Sequence, residues 1–200
     1  VEAYETEEQQ VEAIKKWWKE NGKSIILGAV IGLGGLFGWR AYQANVLSSQ
    51  EAASDAYSKA QEQLIAGDLD AVKQFVTENS SSEYATLAAM QLAKAQVEND
   101  NLSAAVEQLK WVVANSKDDA LKALANVRLA RVEIALENFD AAESALAAVT
   151  AESWKANVAS LRGDIAVQRG DHDAARAAYT EALAAGNDPV VRMKLDDLAQ

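Results

Sequence analysis

Three patterns in this sequence invite chemistry, and each lacks the partners its chemistry needs. "GAVIGLGGLFG", residues 28–38, sets Gly32, Gly34 and Gly35 in the manner of a phosphate-cradling loop. A dinucleotide fingerprint would need its third glycine at position 37, which is Phe37, and a βαβ setting that the flanking residues do not supply. A Walker loop would close on Lys followed by Ser or Thr, and none follows the run. The pairs Asp118-Asp119 and Asp196-Asp197 offer carboxylates, but nothing of metal-ligand type accompanies them. Both pairs fall where helices begin or end, and Asp118-Asp119 reads as a helix cap. The single histidine, His172, leaves a zinc site or a Ser-His-Asp triad almost nothing to build on. With no cysteine there is no disulfide, thiol nucleophile or thiolate metal site. Trp111 and Trp154 read as packing between helices rather than as stacking platforms. The inventory predicts no enzyme, no cofactor and no metal.

The elements around these residues explain them better. Of 200 residues half are hydrophobic, with one proline and ten glycines, and Ala, Leu, Glu, Lys and Gln abound. That composition predicts an all-α chain. A net charge of -11 argues against nucleic acid, which demands a basic footprint.

The glycine run belongs to an apolar stretch without charge from Ser24 to Trp39. Trp17 and Trp18 precede it, Trp39 and Tyr42 follow it, and Lys23 and Arg40 stand at its ends. As a helix, Trp18 to Trp39 would span roughly 32 Å, near the thickness of a hydrocarbon core. Aromatics at both ends suit headgroup depth, and the terminal cations can snorkel. Lys15, Lys16, Lys19 and Lys23 outnumber Arg40, which predicts a cytoplasmic N-terminus and a translocated C-terminal bulk. A cleaved signal is the rival reading, as is a buried core helix. The long Glu-rich leader (Glu2, Glu5, Glu7, Glu8, Glu12) and the lack of an A-x-A site favour an uncleaved anchor. Gly28, Gly32, Gly34, Gly35 and Gly38 are a candidate packing face for another membrane helix, although glycine is common in membrane helices anyway.

Ahead of the anchor, Thr6-x-x-Gln9 has the form of a capping box, and Val11, Ile14 and Trp18 recur at helical spacing. Asn21-Gly22 predicts a stop or bend. This lead-in reads either as an interfacial helix or as a docking helix for a partner.

Beyond the anchor the chain repeats itself. "AGDLDAVKQF", "NDNLSAAVEQL", "ENFDAAESAL" and "RGDHDAARAAY" each open a helix after a polar turn. Val72, Ala105, Ala142 and Ala175 superpose, 33, 37 and 33 residues apart, the period of helix-turn-helix arrays. Gly163, Ala175, Tyr179 and Ala182 fall on the small, small, aromatic and small positions of the tetratricopeptide motif, which the series resembles. Helix pairs are expected at 50–66 with 69–79, 83–99 with 102–115, 118–137 with 139–148, and 152–169 with 172–185, with a terminal helix near 189–199 closing the stack. Residues 41–66 contain no break, so the first of these helices should continue from the anchor and hold the array near the bilayer. His172 takes the turn position filled elsewhere by Leu69, Leu102 and Phe139, and reads as a turn or packing residue. Stacked pairs make a concave groove lined by their first helices. Motif counting assigns Met90, Lys94, Val97, Val127, Arg131, Ile134, Asp164 and Val167 to it, a surface suited to a peptide or partner helix.

The chain thus divides into an amphipathic N-terminal segment (1–22), a transmembrane anchor (23–43) and a tetratricopeptide-like helical solenoid (44–200). "GAVIGLGGLFGWR", "LKALANVRLARVEIALENFDAAESAL" and "VASLRGDIAVQRGDHDAARAAY" together resemble the ancillary subunit family of the bacterial SecYEG translocon. The Gly-Trp-Arg ending and the segment Leu161 to Asp164 are its most specific matches. That resemblance implies a single-span inner-membrane protein with a periplasmic repeat domain. It also implies partnership with SecYEG and with the membrane-anchored periplasmic chaperone PpiD, assisting client polypeptides that emerge from the channel. A link to envelope-stress signalling through the cytoplasmic segment is implied too. The alternative, on the residues alone, is an anchored scaffold for envelope-assembly machinery.

Overall fold

The computed structural model describes residues 7–198. Among them the chain is helical: α1 (Glu7–Ile65), α2 (Leu69–Glu78), α3 (Glu83–Glu98), α4 (Leu102–Asn115), α5 (Asp119–Ala135), α6 (Phe139–Ala147), a 3-10 turn at Glu152–Trp154, α7 (Lys155–Gln168), α8 (His172–Ala185) and α9 (Pro189–Asp197). No strand occurs among the described residues. The helix pairs read from the repeats match these bounds to within a few residues, except that the first helix of the first pair, expected from residue 50, is the end of the unbroken α1.

Two units part near Ala52. In the first, α1 passes through Asn21-Gly22 without the expected break. Asn21 donates its side-chain amide to the Trp17 carbonyl at 3.0 Å, and the Trp18 indole lies over Gly22. Both residues most apt to end the helix are therefore held inside it. The expected Thr6 cap lies outside the described residues. Ile26, Val30, Ile31, Leu36 and Phe37 are all more than half exposed. Exposed apolar side chains of this kind cost up to about 1.5–3 kcal/mol each in water relative to full burial, a cost that an apolar surrounding would remove. Among the described residues α1 alone is long and apolar enough to cross a membrane.

The second unit is built from one turn used four times. Gly67, Asp100, Glu137 and Gly170 all adopt positive φ, at 81°, 59°, 59° and 75°. At each, the next residue donates its amide to a carbonyl five residues back: Asp68 to Gln63, Asn101 to Gln96, Asn138 to Glu133 and Asp171 to Ala166. These bonds close the preceding helix, and glycine fits the left-handed position without strain. The following side chain then caps the next helix, with Asp68, Asn101 and Asp171 accepting from Ala71, Ala104 and Ala174. Asp118 caps α5 through the amides of Ala120 and Leu121, the role read from the sequence. Asp196 and Asp197 lie at the end of α9.

Packing follows from these turns. Ala93, Ala105, Ala130, Ala142 and Ala175 are buried where paired helices meet. A larger side chain at such a crossing would force the helices apart. Around them Leu92, Leu109, Leu146 and Ile165 fill the main core. Tyr57 of α1 stacks on Tyr84 of α3 at 5.2 Å and meets Phe75 of α2 at 6.3 Å, which attaches the first pair. Trp111 and Trp154 pack half-buried against the core, as read. His172 is exposed at the first turn of α8, unlike Leu69, Leu102 and Phe139, which reach the core.

A second, smaller core joins α7, α8 and α9 around Ala159, Ala175, Tyr179, Ala182 and Val191. Tyr179 lies directly over Gly163: a Cβ built there would sit 2.3 Å from its ring. Gly163→Ala should therefore lower stability by about 1–3 kcal/mol in urea unfolding followed by far-UV dichroism. An unchanged midpoint would mean that α7 and α8 do not cross this closely.

Candidate interaction groove

The first helices of successive pairs, α3, α5 and α7, line one face of the second unit, as solenoid geometry requires. Two depressions lie side by side on it. One, of about 360 Å³, is apolar: Met90, Ala93 and Val97 of α3, Leu109 of α4 and Val132 of α5 form it, with Lys94, Glu98, Arg128 and Arg131 at its edge. The other, of about 590 Å³, is polar, lined by Arg131, by Asn157, Ser160 and Asp164 of α7, and by Asp188 and Lys194 at and within α9. Arg131 belongs to both.

The eight residues assigned to the groove by motif counting separate into two groups. Met90, Lys94, Val97 and Arg131 come together at the apolar depression, and Asp164 joins Arg131 at the polar one. Val127 does not: it is 1 % exposed and belongs to the core. Ile134 is half-buried against the same core, and Val167 is half-buried in the smaller one. On a helix of 3.6 residues per turn, Val127 and Ile134 lie about 40–60° to one side of Arg131, while Arg128 lies about 60° to the other. The open face is on Arg128's side, so motif counting rotated α5 the wrong way. It also missed Arg128, Asn157, Ser160 and Lys194. The i, i+3 pair Arg128 and Arg131 was the available signal, two like charges on one face of α5.

Asp164 is held from two sides. The Tyr179 hydroxyl donates to it at 2.7 Å, and the Lys194 ammonium donates at 2.7 and 2.9 Å. Burial, and then the Asp164 carboxylate, push the Tyr179 phenol far above its usual range, so it stays a donor. Lys194 also lies 5.9 Å from the Tyr179 ring centre. This triad fastens α9 across the end of the groove, a structural duty that occupies Asp164. No group of three His, Asp or Glu side chains capable of holding a metal forms among the described residues.

In the first unit nothing approaches within 4 Å of a Cβ built on Gly28, Gly32, Gly34, Gly35 or Gly38. On a regular helix these five do not make one face. Gly28, Gly32 and Gly35 share one stripe, and Gly34 and Gly38 share another about 100° away.

The chain contains no cysteine, so single cysteines can report the groove directly. Val97→Cys, 40 % exposed at the depression, should react with a maleimide at least about a hundredfold faster than Val127→Cys, which must wait for local opening. Equal rates would remove the distinction between open and core faces of these helices.

A tetratricopeptide repeat-like domain model matches residues 15–200. The ancillary SecYEG translocon subunit of Escherichia coli K12 is 36 % identical over 206 residues, covering all of both chains. Its counterpart from Haemophilus influenzae is 36 % identical over 96 % of this chain and 97 % of its own. That of Aggregatibacter actinomycetemcomitans is 34 % identical over 88 % of each. Among solved structures, that of MamA aligns with a TM-score of 0.55 over 73 % of this chain and 85 % of its own, at 19 % identity, a likeness of fold. The repeats, the apolar helix and these full-length likenesses agree: the chain belongs to the family of ancillary SecYEG translocon subunits with a tetratricopeptide repeat-like domain.

Proposed function

We propose that this protein is a non-enzymatic adaptor anchored in the inner membrane beside the SecYEG translocon. Its N-terminal segment (1–22) faces the cytoplasm, residues 23–43 cross the bilayer, and the repeats of 44–200 stand in the periplasm. There it works with the chaperone PpiD on client polypeptides leaving the channel, and the groove along α3, α5 and α7 is its partner-binding surface. The observation that carries this reading is the likeness over whole chains to proteins named ancillary translocon subunits. The repeat scaffold, its open groove and the ancillary-subunit names of the relatives support an adaptor rather than an enzyme.

Orientation rests on charge. Lys15, Lys16, Lys19 and Lys23 precede the apolar stretch and Arg40 alone follows closely, the bias that retains a flank in the cytoplasm. Gly28, Gly32 and Gly35 would form the flatter stripe toward a membrane-embedded neighbour.

Two measurements test this reading. An impermeant maleimide added to intact spheroplasts should label Ser153→Cys and leave Glu12→Cys unlabelled. Affinity purification of the full chain in mild detergent should recover translocon and PpiD together. Inverted labelling, or recovery of neither partner, would overturn it.

A further inference from the structure

On the proposed reading the groove receives a partner polypeptide. We infer that it selects a segment presenting an apolar side chain beside acidic ones, with Arg128 and Arg131 as the acid-reading pair.

The chain carries an excess of eleven negative charges, yet the concave face presents two guanidinium groups one turn apart on α5. No ion pair among the described residues uses either one. Lys94 is matched within its own helix by Glu98 at 3.6 Å, so it adds no net charge. By contrast Arg162 and Arg169 of α7 pair with Glu143 and Asp140. Arg128 is half-buried as well. A guanidinium partly withdrawn from water without a counter-ion carries a desolvation cost that a carboxylate would relieve. Its planar fork reads carboxylates with defined geometry.

The neighbouring surface fixes the rest of the ligand. Directly beside the arginines lies a floor of Met90, Val97, Leu109 and Val132, which can take an apolar side chain. Past Arg131 the groove becomes polar: Asn157 and Ser160 offer hydrogen-bond groups for a peptide backbone, while Asp164 is already held by Lys194 and Tyr179 and Asp188 caps α9 through the Val190 amide. A fatty acyl carboxylate would suit the apolar floor and one arginine but leave that polar continuation unmatched. A polypeptide uses all three parts.

The test employs the full chain in nanodiscs and fluorescein-labelled alanine-based peptides of 12 residues. One carries a leucine followed at the third and fourth positions by glutamates, and its control carries glutamines there. In fluorescence anisotropy the glutamate peptide should bind at least about tenfold more tightly than its control, a difference erased in Arg128→Gln/Arg131→Gln and reduced in Arg131→Gln alone. Val97→Asp should weaken both peptides. Equal affinity for the two peptides, unchanged binding by the arginine variants, or no saturable binding would overturn the inference. So would binding of dodecanoate in place of the peptide. Translocon recovery from membranes by the same variants separates this from the adaptor reading. Peptide failure with translocon retained sinks only the acid-reading groove, whereas wild-type protein that recovers no translocon sinks the adaptor itself.

Discussion

Close approach of paired helices is the constraint on which the repeat domain depends. Ala93 faces Ala105's helix, Ala130 that of Ala142, and Gly163 that of Ala175, and every one of these is buried. Small residues let the backbones meet, and the four left-handed turns deliver the chain to each crossing with the same geometry. A stack of such pairs leaves one face, that of α3, α5 and α7, to curve inward. The groove is thus a consequence of where alanine and glycine allow paired helices to close.

The stack is not uniform. α6 is short and touches α7 sparsely, and α7 itself stands between two apolar clusters: Val158, Leu161 and Ile165 belong to the larger one, Ala159 to the smaller one. Polar contacts bridge the seam between α6 and α7: Arg162 with Glu143 at 3.3 Å, Arg169 with Asp140, and Arg169 at 5.7 Å from the centre of the Phe139 ring. Exposed pairs of this kind contribute little each, so the last repeat is joined to the stack chiefly by Val158, Leu161 and Ile165 in the main core, and its far end carries a latch of its own. Asp164, Tyr179 and Lys194 supply that latch by tying α9 to α7 and α8. The seam is also where the groove changes from apolar to polar, with Arg131 at the join.

Much of this architecture is legible in the residues because small side chains must recur wherever helices cross. Val72, Ala105, Ala142 and Ala175 reveal the period, and helix bounds follow from the polar turns between. At two of these turns the conformation is hidden although the turn is not, since Asp100 and Glu137 take left-handed conformations that local propensity assigns to glycine. Backbone hydrogen bonds from Asn101 and Asn138 impose the geometry there. Asn21-Gly22 misleads in the opposite sense: a local stop signal is overridden by Trp17 and Trp18 of the same helix. The groove was half legible. α5 is buried on most sides, Asn126 and Glu133 included, so counting alone did not separate Val127, which lies in the core, from Arg128, which borders the groove.

The central claim is that the concave face, rather than the outer face of the second helices, meets the partner chain. A photocrosslinking amino acid placed singly at Lys94, Arg131, Ser144 and Thr180 in native membranes tests it most directly. Lys94 and Arg131 lie on the groove, while Ser144 and Thr180 are exposed on α6 and α8. Adducts with partner polypeptide are predicted at Lys94 and Arg131 and not at Ser144 or Thr180. Adducts confined to Ser144 and Thr180 would contradict the account.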